Sequence, residues 1–548
     1  MSLTYWIGGS VGLLVLVLLG KYSAASLEAD ERIAKAKFEF EKAQTELLRT
    51  RSEQGRREYV LEVIGLGVTL DKYRQGKLWE RLQAGNPHST IRETDGKTYP
   101  WKGTDKSGLT GARRGDALDN GVWDSPDCWG VPVFNAQPPL HGKFRDTPVS
   151  PVAGIVSDAD SNGMTSHLFV LGARKFGERP DRILDEVFAF FDTNPEVPYV
   201  VLNSDDSSTL RDMFSANRNY SYDYGDGYFV PAMPDSAVVF VLARRERVDV
   251  LRPFIYNDVD SEESIEKLNA EGVQRRLNLA YFDLMKSVPS LEKSSDPAMR
   301  IGRQPLISEW LVEAAKFGKR KDIRSTQQIS FLNPQFRQDH APSFDWKPTP
   351  WFPVPWSKKQ FADFDNLPTM GFIHRPVFVN TSDEHGKPLR RRDQRRAALL
   401  AGFNQALSTL SESERASGPA RIIAGTNSNT EQLIALEGVL HDYAAQGGPE
   451  IDSGKIDQFI NTDRRLGDTG AATFFMQMAI GVMGSYRAGG VSAAINLRDP
   501  SEASIIFISP PSAEKLQAQR NRNVFRHRNS LDIDPANYAP PSAPVATK

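Results

Sequence analysis

Apolar residues fall into distinct patterns along this chain, and each pattern predicts a different element. The first is an unbroken run, since residues 3–20 read LTYWIGGSVGLLVLVLLG without a charge. That meets the roughly 18-residue length of a membrane-spanning helix. The second is a seven-residue recurrence of Ile33, Phe40 and Leu47, with Ala36 and Ala43 between them. It sits in a charge-rich stretch without Pro and predicts an amphipathic helix with a short heptad seam. The seam covers about two and a half heptads, fewer than a coiled coil requires, so it reads as a stalk and not a dimerising zipper.

The third pattern is a series of short, nearly continuous apolar runs. They predict strands over 59–70, 167–171, 197–202, 236–243, 370–380, 420–425, 490–497 and 503–509. Amphipathic periodicity between them predicts helices over 71–82, 180–191, 262–285, 308–317, 389–410 and 430–445, and an apolar one over 470–486. Strands too apolar to alternate, separated by helices, argue for a sheet covered on both faces. The fold class is therefore α/β, as two α/β units in tandem after an N-terminal transmembrane helix and an amphipathic stalk helix. The expected divisions are an anchor over 1–22, the stalk over 23–58, and a first α/β unit over 59–335. A Pro/Trp-rich connector over 336–360 and a second unit over 361–513 follow, and a basic, then Pro-rich tail over 514–548 is expected to be disordered. The first unit carries a loop-rich insertion over 84–165. A faint echo links the halves: 199–209 resembles 421–430, and 236–244 resembles 502–509.

Charge then orients the chain. No Lys or Arg precedes the apolar run, whereas Lys21, Arg32, Lys35 and Lys37 follow it. The positive-inside rule places the body in the cytoplasm, hung from the inner membrane by residues 3–20. The alternative is a cleaved signal at Ser23-Ala24-Ala25 with a periplasmic body, but the basic region that should open a signal is missing. A net charge of -2 argues against a nucleic-acid partner. One cysteine, Cys128, excludes an internal disulfide framework and a multi-thiolate metal site. The eight histidines show no metal-binding spacing, so neither a metal nor a cofactor is expected.

Ligands of open α/β sheets bind beyond the carboxyl ends of strands, which singles out 203–207 and 425–429. Neither loop has a phosphate-binding glycine spacing, and Ser, Thr, Asn and Asp before a helix are above all N-caps. A hydrolase triad of Ser204, Asp205 and His441 lacks the elbow that exposes a serine, and Asp205 and Asp206 alternate on an extended backbone. No catalytic constellation emerges. Candidate contact residues are instead Trp101, Trp123 and Trp129 in the insertion, and Trp346, Trp351 and Trp356 in the connector. Arg390, Arg391, Arg392, Arg395 and Arg396 on a basic helix complete the set, because Trp and Arg dominate binding hot spots. The plainer readings are loops and a strap pinned to the core by tryptophan, and a solvated helix face.

Four long stretches carry a resemblance. They are LEVIGLGVTLDKYRQGKLW at 61–79, MPDSAVVFVLARRERV at 233–248, LPTMGFIHRPVFV at 367–379 and GDTGAATFFMQMAIGVMGSY at 467–486. Together they resemble the bacterial type VI secretion lipase adapter proteins, from about 59 to 510. The resemblance implies a non-enzymatic adapter that binds a phospholipase effector and helps load it onto the spike protein of the secretion system. It brings no catalytic residues. An anchored α/β hydrolase-like enzyme, or an envelope scaffold or immunity protein, are the alternative readings.

Overall fold

The computed structural model describes residues 60–95, 103–126, 129–139, 155–156, 168–207, 210–211, 230–249, 251–255, 273–287, 307–320, 349 and 351–527. The expected membrane span, the stalk, Trp101, Cys128, Trp346 and the end of the tail lie outside these residues, as does the side chain of Trp129.

The strands are β1 (Leu61–Leu70), β2 (Tyr73–Arg74), β3 (Trp129–Gln137), β4 (Ile155–Val156), β5 (Leu168–Phe176), β6 (Tyr199–Asp206), β7 (Ser236–Ala243), β8 (Gly371–Ile373), β9 (Val377–Asn380), β10 (Pro419–Gly425), β11 (Phe459–Asn461), β12 (Val491–Asp499) and β13 (Glu502–Ser509). The helices are α1 (Gln75–Gln83), α2 (Gly103–Val122), α3 (Ile183–Thr193), α4 (Val273–Ser287), α5 (Ile307–Phe317), α6 (Lys358–Asp365), α7 (Arg392–Leu407), α8 (Glu412–Ser417), α9 (Thr430–Ala445), α10 (Thr462–Leu466), α11 (Thr473–Ala488) and α12 (Ala513–Ala518). The fold is mixed α/β. Every residue of β1 and β7 is buried, as expected of strands covered on both faces. In α11 every residue from Thr473 to Ser485 is buried, which is the mark of a central helix.

The strands of both expected units join one 13-stranded sheet. The joint is antiparallel and short, pairing Leu61 with Ile373, Glu62 with Phe372 and Val63 with Gly371. An apolar edge on β1 would otherwise leave a row of unpaired N–H and C=O groups. Outward from the joint the first half runs β1, β7, β6, β3, β5 and the second β8 with β9, β13, β12, β10, β11. With the two-residue β2 and β4 left aside and β8 with β9 counted as one, both halves follow the same permutation in chain order, first, fifth, fourth, second, third strand. In each half the fifth strand is antiparallel to its neighbours and the fourth, second and third are mutually parallel. The echo between β7 and β13 obeys this repeat. The echo between 199–209 and 421–430 does not, because β6 is a fourth strand and β10 a second one.

Two sequence expectations fail locally. The insertion read as loops contains the 20-residue α2. Its five glycines each lower helix propensity by about 1 kcal/mol, so the helix owes its existence to packing on β1. A Cβ on Gly67 would lie 1.7 Å from the Ala117 carbonyl oxygen, and one on Gly65 2.2 Å from that of Gly121. Only glycine permits backbone to rest on backbone here. The tail, expected to be disordered from 514, forms α12 and continues in place to 527. Phe525, 3% exposed, is its anchor and packs edge-on to Tyr486 at 5.2 Å.

In the connector Trp351 and Trp356 are buried. Trp351 donates from Nε1 to the Asn194 side chain at 3.2 Å and meets Phe190 at 5.4 Å. Trp356 sits 5.5 Å from Phe361 and 5.3 Å from Phe364. They hold the strap to the first half. Truncating Trp356 to Ala should cost about 3–5 kcal/mol, readable as a lowered denaturant midpoint.

Candidate binding cleft

The carboxyl end of β6 is not a loop but buried strand, with Ser204, Asp205, Asp206 and Ser207 all shielded. Asp205 meets Arg114 Nε at 2.6 Å and accepts the Ser207 N–H at 3.0 Å. Asp206 meets Arg211 Nε at 2.6 Å and accepts the Ala471 N–H at 2.5 Å. Asp206 therefore caps the turn that leads into α11 from across the molecule. Gly470 makes room for it, with φ +52° and a would-be Cβ 2.0 Å from the Asp206 carboxylate. Burial pushes the Asp206 pKa up to about 6, with Arg211 and the Ala471 N–H pulling against it.

The sign of the resulting pH dependence follows. An unfolded Asp titrates near 3.9, so the folded state takes up its proton first as pH falls. Its ionised form costs stability above pH 6, and that cost is relieved as pH falls from about 6 to about 4. Relative to Asp206→Asn, the wild-type unfolding midpoint should rise between pH 7 and pH 5. Equal slopes for both proteins would contradict this.

The second strand-end loop is closed by protein. The Asp463 carboxylate accepts from the Thr426 N–H at 2.7 Å, the Thr426 hydroxyl at 2.9 Å and the Ser428 N–H at 3.1 Å. Asn427 and Ser428 take φ +54° and +58° to aim those groups, and Asn429 caps α9. A carboxylate of the chain itself thus fills the place of an anion. Ser204 is buried on β6, whereas His441 is exposed on α9 in the other half, so no triad assembles. A pair that the sequence did not suggest does form, with His374 Nε2 2.7 Å from Ser509 Oγ and Nδ1 2.9 Å from the Thr409 carbonyl. Burial pushes the His374 pKa down. Both side chains are buried and neither lines a cavity described below, so they act as a polar rivet near the joint.

Much of the basic run is paired with acids where it lies. Arg391 pairs with Asp393 at 2.7 Å, Arg392 with Glu431 at 2.6 Å and Arg396 with Asp442. Arg395 is buried and donates to the Leu389 carbonyl at 2.5 Å. Arg390 is exposed. Three of the five arginines are thus paired with acids, two of which belong to α9.

A cleft of about 350 Å³ lies open between the end of α2, the turn at 367–370 and the tail at 521–526. Its floor is Ile64 and Gly65, beside the β1 bulge and just past the last residue that pairs with β8. Trp123 stands at its wall, 42% exposed. The tail is held by Arg526 on Asp124 at 2.9 Å, by Arg522 on the Asn366 carbonyl, and by Gln519, whose side-chain amide donates to Thr369 at 2.6 Å. A second cavity, of about 30 Å³ beside Trp351 and Trp356, holds little more than a water. Among the described residues no cluster of His, Cys, Asp or Glu could hold a metal, and no helix is long and apolar enough to cross a membrane.

Two family descriptions match the chain. Residues 59–223 match "Type VI lipase adapter protein Tla3, N-terminal" and residues 370–510 match "Type VI lipase adapter protein Tla3, C-terminal". Solved structures with some similarity include the ishigamide ketosynthase/chain length factor, at 10% identity and TM-score 0.35, covering 83% of this chain and 100% of that one. The Streptomyces albus JA3453 oxazolomycin ketosynthase domain aligns at 8% identity and TM-score 0.37, over 83% and 96%. The 3-oxoacyl-(acyl carrier protein) synthase III of Pseudomonas aeruginosa PAO1 does so at 13% and 0.29, over 83% and 99%. Scores this low carry no argument about activity.

Proposed function

Because this chain belongs to the type VI lipase adapter family, we propose that it binds a phospholipase effector and helps load it onto the spike protein of the secretion system without catalysing a reaction itself. The observation that carries this reading is the match of both halves of the body to the adapter family. The chemistry of the strand ends supports it. Asp205, Asp206, Thr426 and Asp463 are each committed to partners within the chain, and Ser509 and His374 are spent on each other.

In this reading residues 3–20 tether the adapter to the inner membrane with its body in the cytoplasm, where an effector is loaded before export. The test is co-purification of the full-length chain, in detergent, with the lipase encoded beside it. Stable capture is expected, with no release of fatty acid from phospholipid vesicles by the adapter alone. Hydrolysis by the adapter alone would overturn the non-enzymatic reading. A periplasmic readout from a topology reporter after Lys548 would overturn the tether's orientation.

A further inference from the structure

We propose that the Trp123 cleft is the docking site for an extended, acidic segment of the effector, which inserts one apolar or aromatic side chain beside the indole. This rests on the adapter reading and names its contact surface. Three large apolar side chains are strongly exposed among the described residues, namely Trp123, Leu279 and Ile434. Of the two cavities described, Trp123 lines the larger and neither of the others lines either one. Trp at a concave site is the residue type that most often dominates an interface. A volume of about 350 Å³ lies at the lower end of ligand pockets, so it suits a single inserted side chain better than a dinucleotide or a lipid.

Charge selects the character of the segment. The cleft is lined by Arg522 and Arg526 of the tail, against one lining carboxylate, Asp124. The guanidiniums do not converge as a phosphate site requires, since Arg522 is turned to the Asn366 carbonyl and Arg526 to Asp124. The Arg526–Asp124 pair is about half exposed. Such a pair is worth little in water, so an incoming carboxylate can replace Asp124 on Arg526 at small cost. Steering by the basic tail should act chiefly on the association rate.

The test measures binding of the lipase to the full-length adapter in detergent, for wild type, Trp123→Ala, Trp123→Phe, Arg522→Glu and the distant control Ile434→Ala. Expected are at least a tenfold loss of affinity for Trp123→Ala, most of it recovered in Trp123→Phe, a slower association for Arg522→Glu, and no change for Ile434→Ala. The unfolding midpoint of each variant is measured alongside, and Trp123→Phe, which keeps an aromatic ring, separates a lost contact from a lost fold. If wild type captures the lipase and Trp123→Ala binds within twofold of it, the cleft assignment fails while the adapter reading stands. If wild type captures no lipase, both fail. Loss of binding to anionic phospholipid vesicles in Trp123→Ala, with lipase binding intact, would make the cleft a lipid site and overturn the proposal.

Discussion

Replacing Gly67 by Val should abolish cooperative folding or lower stability by at least about 4 kcal/mol, a range reserved for disrupted cores. The Cβ alone would sit 1.7 Å from the Ala117 carbonyl oxygen and 2.7 Å from the Gly121 nitrogen. Neither atom can rotate away, because both belong to the backbone of α2. The helix would have to lift off β1, taking with it buried Ala117 and Val122 and the Thr69 hydroxyl bond to the Arg113 carbonyl at 2.8 Å. Gly111, on the same helix, supplies the contrast. It is exposed and a Cβ there meets nothing within 4 Å. Gly111→Ala should therefore raise stability by about 0.5–1 kcal/mol through helix propensity. Denaturant unfolding of the pair separates close approach from mere glycine content, and equal behaviour would refute the packing argument.

The second large effect concerns the buried pair under α2. Arg74, 2% exposed, donates from Nε at 2.9 Å and from Nη2 at 2.7 Å to one oxygen of Asp116, itself 1% exposed. Asp116→Ala would leave the guanidinium with the Asp71 and Tyr73 carbonyls and without the carboxylate that it bonds, Asp235 acting on it only through space. Loss of one partner from a buried pair costs about 3–5 kcal/mol. Replacing both together, Arg74→Met with Asp116→Leu, should restore most of that, since desolvation of the charges disappears with them. A double variant no more stable than Asp116→Ala would show that the pair is valued for more than mutual neutralisation.

How much of this was legible in the sequence depends on where the information resides. Strands such as β1 and β7 announce themselves because both faces are covered, so every position but Glu62 is apolar or small. Thr430–Ala445 is read to its ends because Asn429 caps it. By contrast α2 is invisible to propensity, because its five glycines argue against a helix and the strand it rests on, β1, lies some 40 residues earlier in the chain. The joint is invisible because three paired residues, Leu61–Val63 with Gly371–Ile373, leave no local trace. The same limit applies to function. Trp123 is recognisable as a candidate from its type, but only the fold shows that it borders a cleft while Trp351 and Trp356 are spent inside. Nothing local to 425–429 reveals that Asp463 fills the loop. The sequence echo agrees with the repeat of strand order at β7 and β13 and mispairs β6 with β10, since strand-loop-helix signals recur at every step of an α/β chain.

The position of β1 in the centre of the sheet also sets a timetable for synthesis. It emerges first of the described strands, yet one neighbour, β7, ends at Ala243 and the other, β8, begins at Gly371. At about 5–20 residues per second, the ribosome needs on the order of 15–60 s after Leu70 to deliver β8. Throughout that interval an apolar strand waits with one edge or both unsatisfied. A chain built this way should depend on a holding chaperone during translation, and its yield should fall more steeply than its stability when that help is withdrawn.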